Sequence, residues 1–383
     1  MIRSVWPYLA LMLLCAGIFP ALERRLRWRL FNWLPPIVWT YLCVTALAAA
    51  GLWRVEGEIA VAQSMLVRHL VPALVFLLMI HCDLRAIAAL GPRVLAVFFV
   101  TTLTIVIAFI ATFLLYRPWL PADAWQPLAA LSGSWVGGTA NLIAVKQAIG
   151  MADSLLAMSM LTDALCYSMW FALLFSIGRL APAFNRWTGA RASGEGIVSA
   201  PPETRAVTPD VVLLWLGLAL ASAVACGELA AHLPAAGLFG VNTWTILLAT
   251  AAGLIVAHTP LARMAGASAT SNALLVAVVA VLASQSNFDG IAQAPLYLLC
   301  GLTILTLHGS LLVLAARLFH FDLHLCGIAS LAHVGGVAAT PILAASYARA
   351  LVPVGILLAL LGYILGTGVG LGVAALLSRL ATG

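Results

Sequence analysis

Lys146 is the only lysine in a chain of 383 residues, and it sits in a glycine-rich run, GSWVGGTANLIAVKQAIG. An ammonium group between apolar stretches needs a counter-charge, a ligand or a route to water. Its stem can reach a neighbouring carboxylate, the carboxylate of a solute, or the lipid headgroups. The nearest embedded acid is Asp163, in LTDALCYSMWF. It lies about ten residues into an apolar segment, hence about 15 Å deep at the helical rise. A carboxylate at that depth is protonated, paired or bound to a cation. Asp163 is therefore the candidate holder of a coupling ion, sodium or proton.

The same run carries Val136-Gly137-Gly138, and the trio recurs as Val334-Gly335-Gly336. Thr139 and Asn141 follow the first, Thr340 the second, and His333 precedes the second. Glycine weakens a helix by about 1 kcal/mol relative to alanine. Paired glycines beside hydroxyl and amide groups thus free backbone carbonyls and set polar side chains next to them. Thr139, Asn141, Lys146, His333 and Thr340 are the candidate substrate-binding residues, and Gly137, Gly138, Gly335 and Gly336 supply the backbone. His308, in LTLHG, is a further embedded imidazole. HFDLH (His320, Asp322, His324) contains ligand-type residues, but beside Arg317 it reads as a boundary anchor rather than a metal site. In HCDLR, Asp83 and Arg85 are expected to pair.

The elements that must position these groups are apolar helices. The chain is 63% hydrophobic and 8% charged, against about a quarter charged in a typical soluble domain. Lipid must be the solvent for most of such a surface. The excess of positive charge then reports sidedness rather than nucleic-acid binding. Strand alternation is absent, so the expectation is an all-α polytopic membrane protein.

Twelve apolar segments cover 5–22, 36–53, 60–82, 93–116, 126–150, 153–179, 211–231, 243–258, 269–286, 292–318, 324–348 and 351–378. A polar stretch, 181–210, separates an N-terminal repeat (1–180) from a C-terminal one (211–383). Twelve crossings would put eight basic residues inside and eleven outside, against the positive-inside rule. If each VGG segment dips in and returns, thirteen arginines lie inside and five outside. This favours two inverted repeats of about five spans, each with a re-entrant or broken Gly-Gly helix, and a linker on the cytoplasmic side. Trp6, Trp33, Trp39, Trp53, Trp119 and Trp125 fall near segment ends and read as an interfacial belt. The seven cysteines are scattered singly and read as packing residues.

Nucleophile-elbow, HExxH and P-loop patterns are absent, so no enzyme activity and no cofactor are expected. PALVFLLMIHCDLRAIAALGPR, LSGSWVGGTANLIAVKQAIGM, LTDALCYSMWFALLF, LTLHG and LAHVGGVAATPILAASYARALVPVGILLALLGYILGTGVG together resemble the YjcL-like membrane family designated domain of unknown function 819. The resemblance places the chain in a wider group of inverted-repeat carriers of cations and organic anions. It implies a scaffold, a moving transport domain and the bacterial inner membrane. Where that family's second motif reads Gly-Gly-Pro-Ala-Thr-Ala, this chain has Gly335-Gly336-Val337-Ala338-Ala339-Thr340, and Ala164 follows Asp163 where asparagine is common. A proton on Asp163 or His333 is then an alternative to sodium. The expected function is ion-coupled transport of a small anionic or zwitterionic solute. A monovalent cation/proton antiporter and a non-transporting assembly or regulatory protein are the alternatives. The expected partners are the bilayer, the solute and a second copy in a homodimer, with no nucleic acid.

Overall fold

A computed structural model describes residues 2–26, 36–190, 207–235, 240–284 and 294–382. Each of the twelve apolar segments is helical over most of its described residues. In the first half these are α1 (Val5–Leu26), α2 (Pro36–Ala49), α3 (Gly57–Met79), a short α4 (Leu84–Ala88), α5 (Pro92–Tyr116), α6 (Trp125–Gly137), α7 (Thr139–Ile149) and α8 (Leu156–Ile177). A short α9 (Ala181–Thr188) follows. The second half has α10 (Pro209–Ala231), α11 (Val241–Ala257), α12 (Ala267–Ala283), α13 (Ala294–Phe319), α14 (Leu323–Val334), α15 (Gly336–Tyr347) and α16 (Val352–Thr382). The fold is all-α and of the polytopic membrane type. Among the described residues seven helices are long and apolar enough to cross a bilayer. The 14 residues of α2 and the 17 of α11 and of α12 form shorter apolar helices.

The polar stretch is not uniform. Residues 181–188, inside it, form α9, whose Asn185 side chain accepts from Leu323 N at 3.0 Å. Residues 191–206, the body of the expected linker, lie outside the described residues, as does Trp33.

The chain forms two compact units, and each draws on both halves. One comprises Met1–His81, Lys146–Leu165 and Thr204–Tyr297. Its centre is α3, where Val71 to Met79 is buried without interruption. α10, α11 and α12 pack around it. Gly253 of α11 makes one close approach possible: a Cβ there would stand 2.6 Å from Met79 Cβ. The C-terminal carbonyls of α12 need partners, because no later turn supplies them. Trp53 Nε1 donates to the Ser284 carbonyl at 3.1 Å, and Tyr8 Oη bonds Ser284 Oγ at 2.7 Å. Trp53 is thus a buried helix-end anchor rather than a belt residue, whereas Trp6 and Trp119 are exposed.

The other unit comprises Cys82–Val145, Cys166–Glu203 and Leu298–Gly383. Its axis is the pairing of α6 with the 31-residue α16. Gly133 and Gly137 on α6 face Gly362, Gly366 and Gly370 on α16. A Cβ on Gly366 would lie 2.7 Å from Gly137 Cα, and one on Gly370 3.1 Å from Gly133 Cα. The four-residue spacing on both helices puts the glycines on one stripe each, which lets the backbones touch. Trp135 is fully buried on α6, edge-on to Phe109 of α5 at 5.4 Å. Phe98, Leu325, Ile328, Val354 and Leu358 join α5, α14 and α16 in one apolar cluster.

The seam predicts a contrast within one helix. Gly366→Ala should lower the stability of the detergent-solubilised protein by about 1–3 kcal/mol through overpacking. Gly368→Ala meets nothing within 4 Å and should leave stability unchanged or raise it by up to about 1 kcal/mol. Thermal unfolding of the two variants checks this. Equal effects would refute the seam.

Candidate functional site

Both VGG motifs break their helices. α6 ends as Gly138 N–H bonds the Ser134 carbonyl at 2.5 Å, with Gly138 at φ +82°. α7 restarts at Thr139, and Asn141 N–H returns to the Gly138 carbonyl at 2.9 Å. In the second copy Gly335 N–H bonds the Leu331 carbonyl at 2.7 Å, and Gly336 takes φ +61°. A side chain is strained at such φ, so glycine is required at both turns. The polar residues behind the turns bond back onto them. Asn141 Nδ2 donates to the Gly137 carbonyl at 2.5 Å, and Thr340 Oγ1 to the Gly336 carbonyl at 2.6 Å. Asn141 Oδ1 also accepts from Thr367 Oγ1 of α16 at 2.6 Å. Asn141 and Thr340 are buried, while Thr139 is partly exposed.

Tyr363 of α16, not singled out in the sequence, stands at both turns. Its ring carbon would lie 3.2 Å from a Cβ on Gly138 and 3.7 Å from one on Gly336, and its hydroxyl meets the Val337 backbone. The signal was its place three residues before Gly366, which means nothing until the partner helix is known.

Two buried histidines lie in the same unit. His333 Nδ1 bonds the Ala329 carbonyl at 2.8 Å, and its Nε2 lies 2.7 Å from Thr102 Oγ1. A carbonyl only accepts, so Nδ1 carries a proton; in the neutral ring Nε2 accepts from Thr102, whose single hydroxyl proton is shared between it and the Phe98 carbonyl at 3.1 Å. Its ring packs on Phe98 at 4.2 Å. His308 has Thr104 Oγ1 at 2.8 Å from Nδ1 and Ser330 Oγ at 2.9 Å from Nε2. Trp170 Nε1 donates to Ser330 Oγ at 2.9 Å, and Thr104 Oγ1 donates to the Thr101 carbonyl at 2.8 Å. One proton arrangement satisfies all four contacts. Trp170 gives to Ser330, Ser330 to His308 Nε2, His308 Nδ1–H to Thr104, and Thr104 to the carbonyl. His308 is therefore neutral, and its chain ties α8, α14, α13 and α5 together.

Lys146 and Asp163 fall in the other unit. Lys146 is buried and forms an ion pair with Asp153, seven residues on and at the start of a short 3₁₀ turn. The turn itself is closed by Met151 N–H on the Lys146 carbonyl at 3.0 Å, with Gly150 at φ +67°. Asp153 is not among the partners expected for Lys146 from the sequence, which are Asp163, a solute and the headgroups. Asp163 is partly buried in α8, seven residues from its start.

Asp83 accepts from Arg85 N at 2.9 Å and Ala86 N at 3.2 Å, capping α4. It meets the backbone there, rather than the arginine side chain that the sequence reading expected. Among the described residues no group of three or more His, Cys, Asp or Glu is placed to hold a metal ion.

A broken helix at Gly-Gly in each half, flanked by buried polar residues, is the architecture on which the chain's relationships bear. The family model for proteins of unknown function designated DUF819 matches residues 10–380. The chain belongs to that family. No curated protein matches it.

Removing one partner of a buried ion pair leaves an uncompensated charge and costs about 3–5 kcal/mol. Lys146→Met and Asp153→Leu should each destabilise the protein by an amount of that order. The double variant should recover a substantial part of the loss. Additive losses in this double-mutant cycle would dissolve the pairing.

Proposed function

We propose that the protein is an ion-coupled secondary transporter of a small anionic or zwitterionic organic solute. The reading rests on one observation above all: two helices broken at Gly-Gly, in corresponding places of the two halves, share one compact unit around Tyr363. Broken helices at membrane depth are tolerated where they line a cavity or are buried in protein, and secondary carriers use them to bind solutes and ions. In this reading the halves are inverted repeats, the unit carrying both motifs is the moving body, and the linker is cytoplasmic. Solute binds at the two turns, near Thr139, Asn141 and Thr340. Asp163 holds the coupling ion.

A partly buried carboxylate in an otherwise apolar helix also favours a second reading, a monovalent cation/proton antiporter centred on Asp163. The two differ in what moves without organic solute. Proteoliposomes carrying the antiporter would exchange protons for sodium or potassium in plain buffer. Those carrying the symporter would need the solute. In either case Asp163→Asn should reduce coupled flux at least about tenfold, the effect of losing roughly 1.4 kcal/mol of ion binding. Gly368→Ala should keep full flux. Unchanged flux in Asp163→Asn would remove Asp163 from the mechanism. Absence of all flux in sealed, correctly folded samples would favour a non-transporting assembly or regulatory role.

A further inference from the structure

A second polar feature lies in the same unit, away from the Gly-Gly turns. Between the end of α8, α9, the start of α14 and the end of α15 there is a cavity of about 950 Å³. Arg179, Asn185, Arg186, Asp322, His324 and Tyr347 line it. Its far wall is fixed by packing. The Tyr347 ring stacks on His324 at 4.5 Å, its hydroxyl donates to the Leu174 carbonyl at 2.5 Å, and a Cβ on Gly327 would stand 2.9 Å from its oxygen. The wall is therefore a built surface rather than a gap between side chains.

The charges within it do not cancel one another. Asp322 is 2% exposed, and Oδ1 accepts from Leu325 N at 3.0 Å, which caps α14. Oδ2 is buried with no hydrogen-bond partner among the described residues. An ionised oxygen so placed is costly to leave bare. Two guanidinium groups line the same cavity, yet neither Arg179 nor Arg186 forms an ion pair among the described residues. Among the described residues the cavity thus presents one buried carboxylate oxygen without a donor and two exposed guanidinium groups without an ion-pair partner. A molecule that is positive at one end and negative at the other answers both needs, whereas a simple anion would leave Asp322 unmatched.

We infer that this cavity binds a small zwitterion bearing an ammonium and a carboxylate, with the ammonium toward Asp322 and the carboxylate toward Arg179 and Arg186. His324 and Tyr347 give the rigid aromatic face against which its carbon skeleton lies. The site stands apart from the two Gly-Gly turns, and its occupancy is an equilibrium property that needs no flux.

The test uses the full chain in lipid nanodiscs and three probes. These are an equimolar mixture of the twenty protein amino acids, a mixture of short monocarboxylates and a mixture of short primary amines. Thermal unfolding with each, followed by calorimetric titration of the active component, reads binding. The amino-acid mixture should raise the unfolding temperature, and the carboxylates or amines alone should not. Asp322→Asn keeps the helix cap, since asparagine caps as well as aspartate, and should weaken binding at least about tenfold, as should Arg186→Ala. Equal stabilisation by carboxylates alone, full binding by Asp322→Asn, or no stabilisation by amino acids in the folded wild type would each overturn the inference. A chain that binds the amino acids but carries no flux would retain this site and lose the transport reading.

Discussion

Gly133 and Gly137 on α6 meet Gly362, Gly366 and Gly370 on α16 backbone to backbone, with the Asn141 and Val145 side chains packed against the same stripe. In lipid there is no hydrophobic force to press two apolar helices together, so close backbone packing must supply the attachment. That contact fixes where the end of α6 can lie, and with it Gly138. It brings Thr367 to Asn141 and lays the Tyr363 ring across Gly138 and Gly336. The two helix breaks are therefore not loose ends. They are held by one long helix whose small-residue stripe admits one partner and whose single large aromatic at that level fills the space between them.

The breaks also obey a strict polar accounting. A helix interrupted in an apolar setting exposes carbonyls and N–H groups that water cannot reach. Here the side chains four residues on return to the motif carbonyls, Asn141 to Gly137 and Thr340 to Gly336. The residue types that look like ligands for a solute are thus also the residues that keep the broken backbone satisfied. Both roles require the same chemistry, an amide or hydroxyl within one turn of a freed carbonyl. A solute entering at this level would exchange partners with groups already bonded, which favours reversible over tight binding.

The fold was legible because lipid makes hydropathy a nearly sufficient code. Twelve apolar runs mark twelve helical stretches, and the Gly-Gly pairs mark the breaks in the fifth and the eleventh. Pairings were not legible, because they depend on which helices become neighbours. The spacing of Gly362, Gly366 and Gly370 announces a close contact but does not name α6 as its partner. Lys146 announces a counter-charge, yet Asp153 is recognisable only once Gly150 turns the chain back. Trp53 has the position of a belt residue and the environment of a core one, since Ser284 at the end of α12 claims its indole N–H. The division into units was hidden for the same reason: each is assembled from non-contiguous stretches of both halves.

The buried polar side chains separate into two kinds. His308 and His333 have both ring nitrogens engaged, and a single proton arrangement around His308 satisfies Trp170, Ser330 and Thr104 together. Groups so completely matched hold helices in place and have little left to offer a ligand, which argues that His308 is a structural tie despite its depth. Asp322 is the opposite case, buried and half-matched, lining a cavity with two exposed arginines that form no ion pair among the described residues. A sequence cannot distinguish the two, because histidine in LTLHG looks more chemical than aspartate in HFDLH. Only the count of satisfied valences does so, and it shifts the search for ligand chemistry in this unit from its embedded imidazoles to the carboxylate at the mouth of α14.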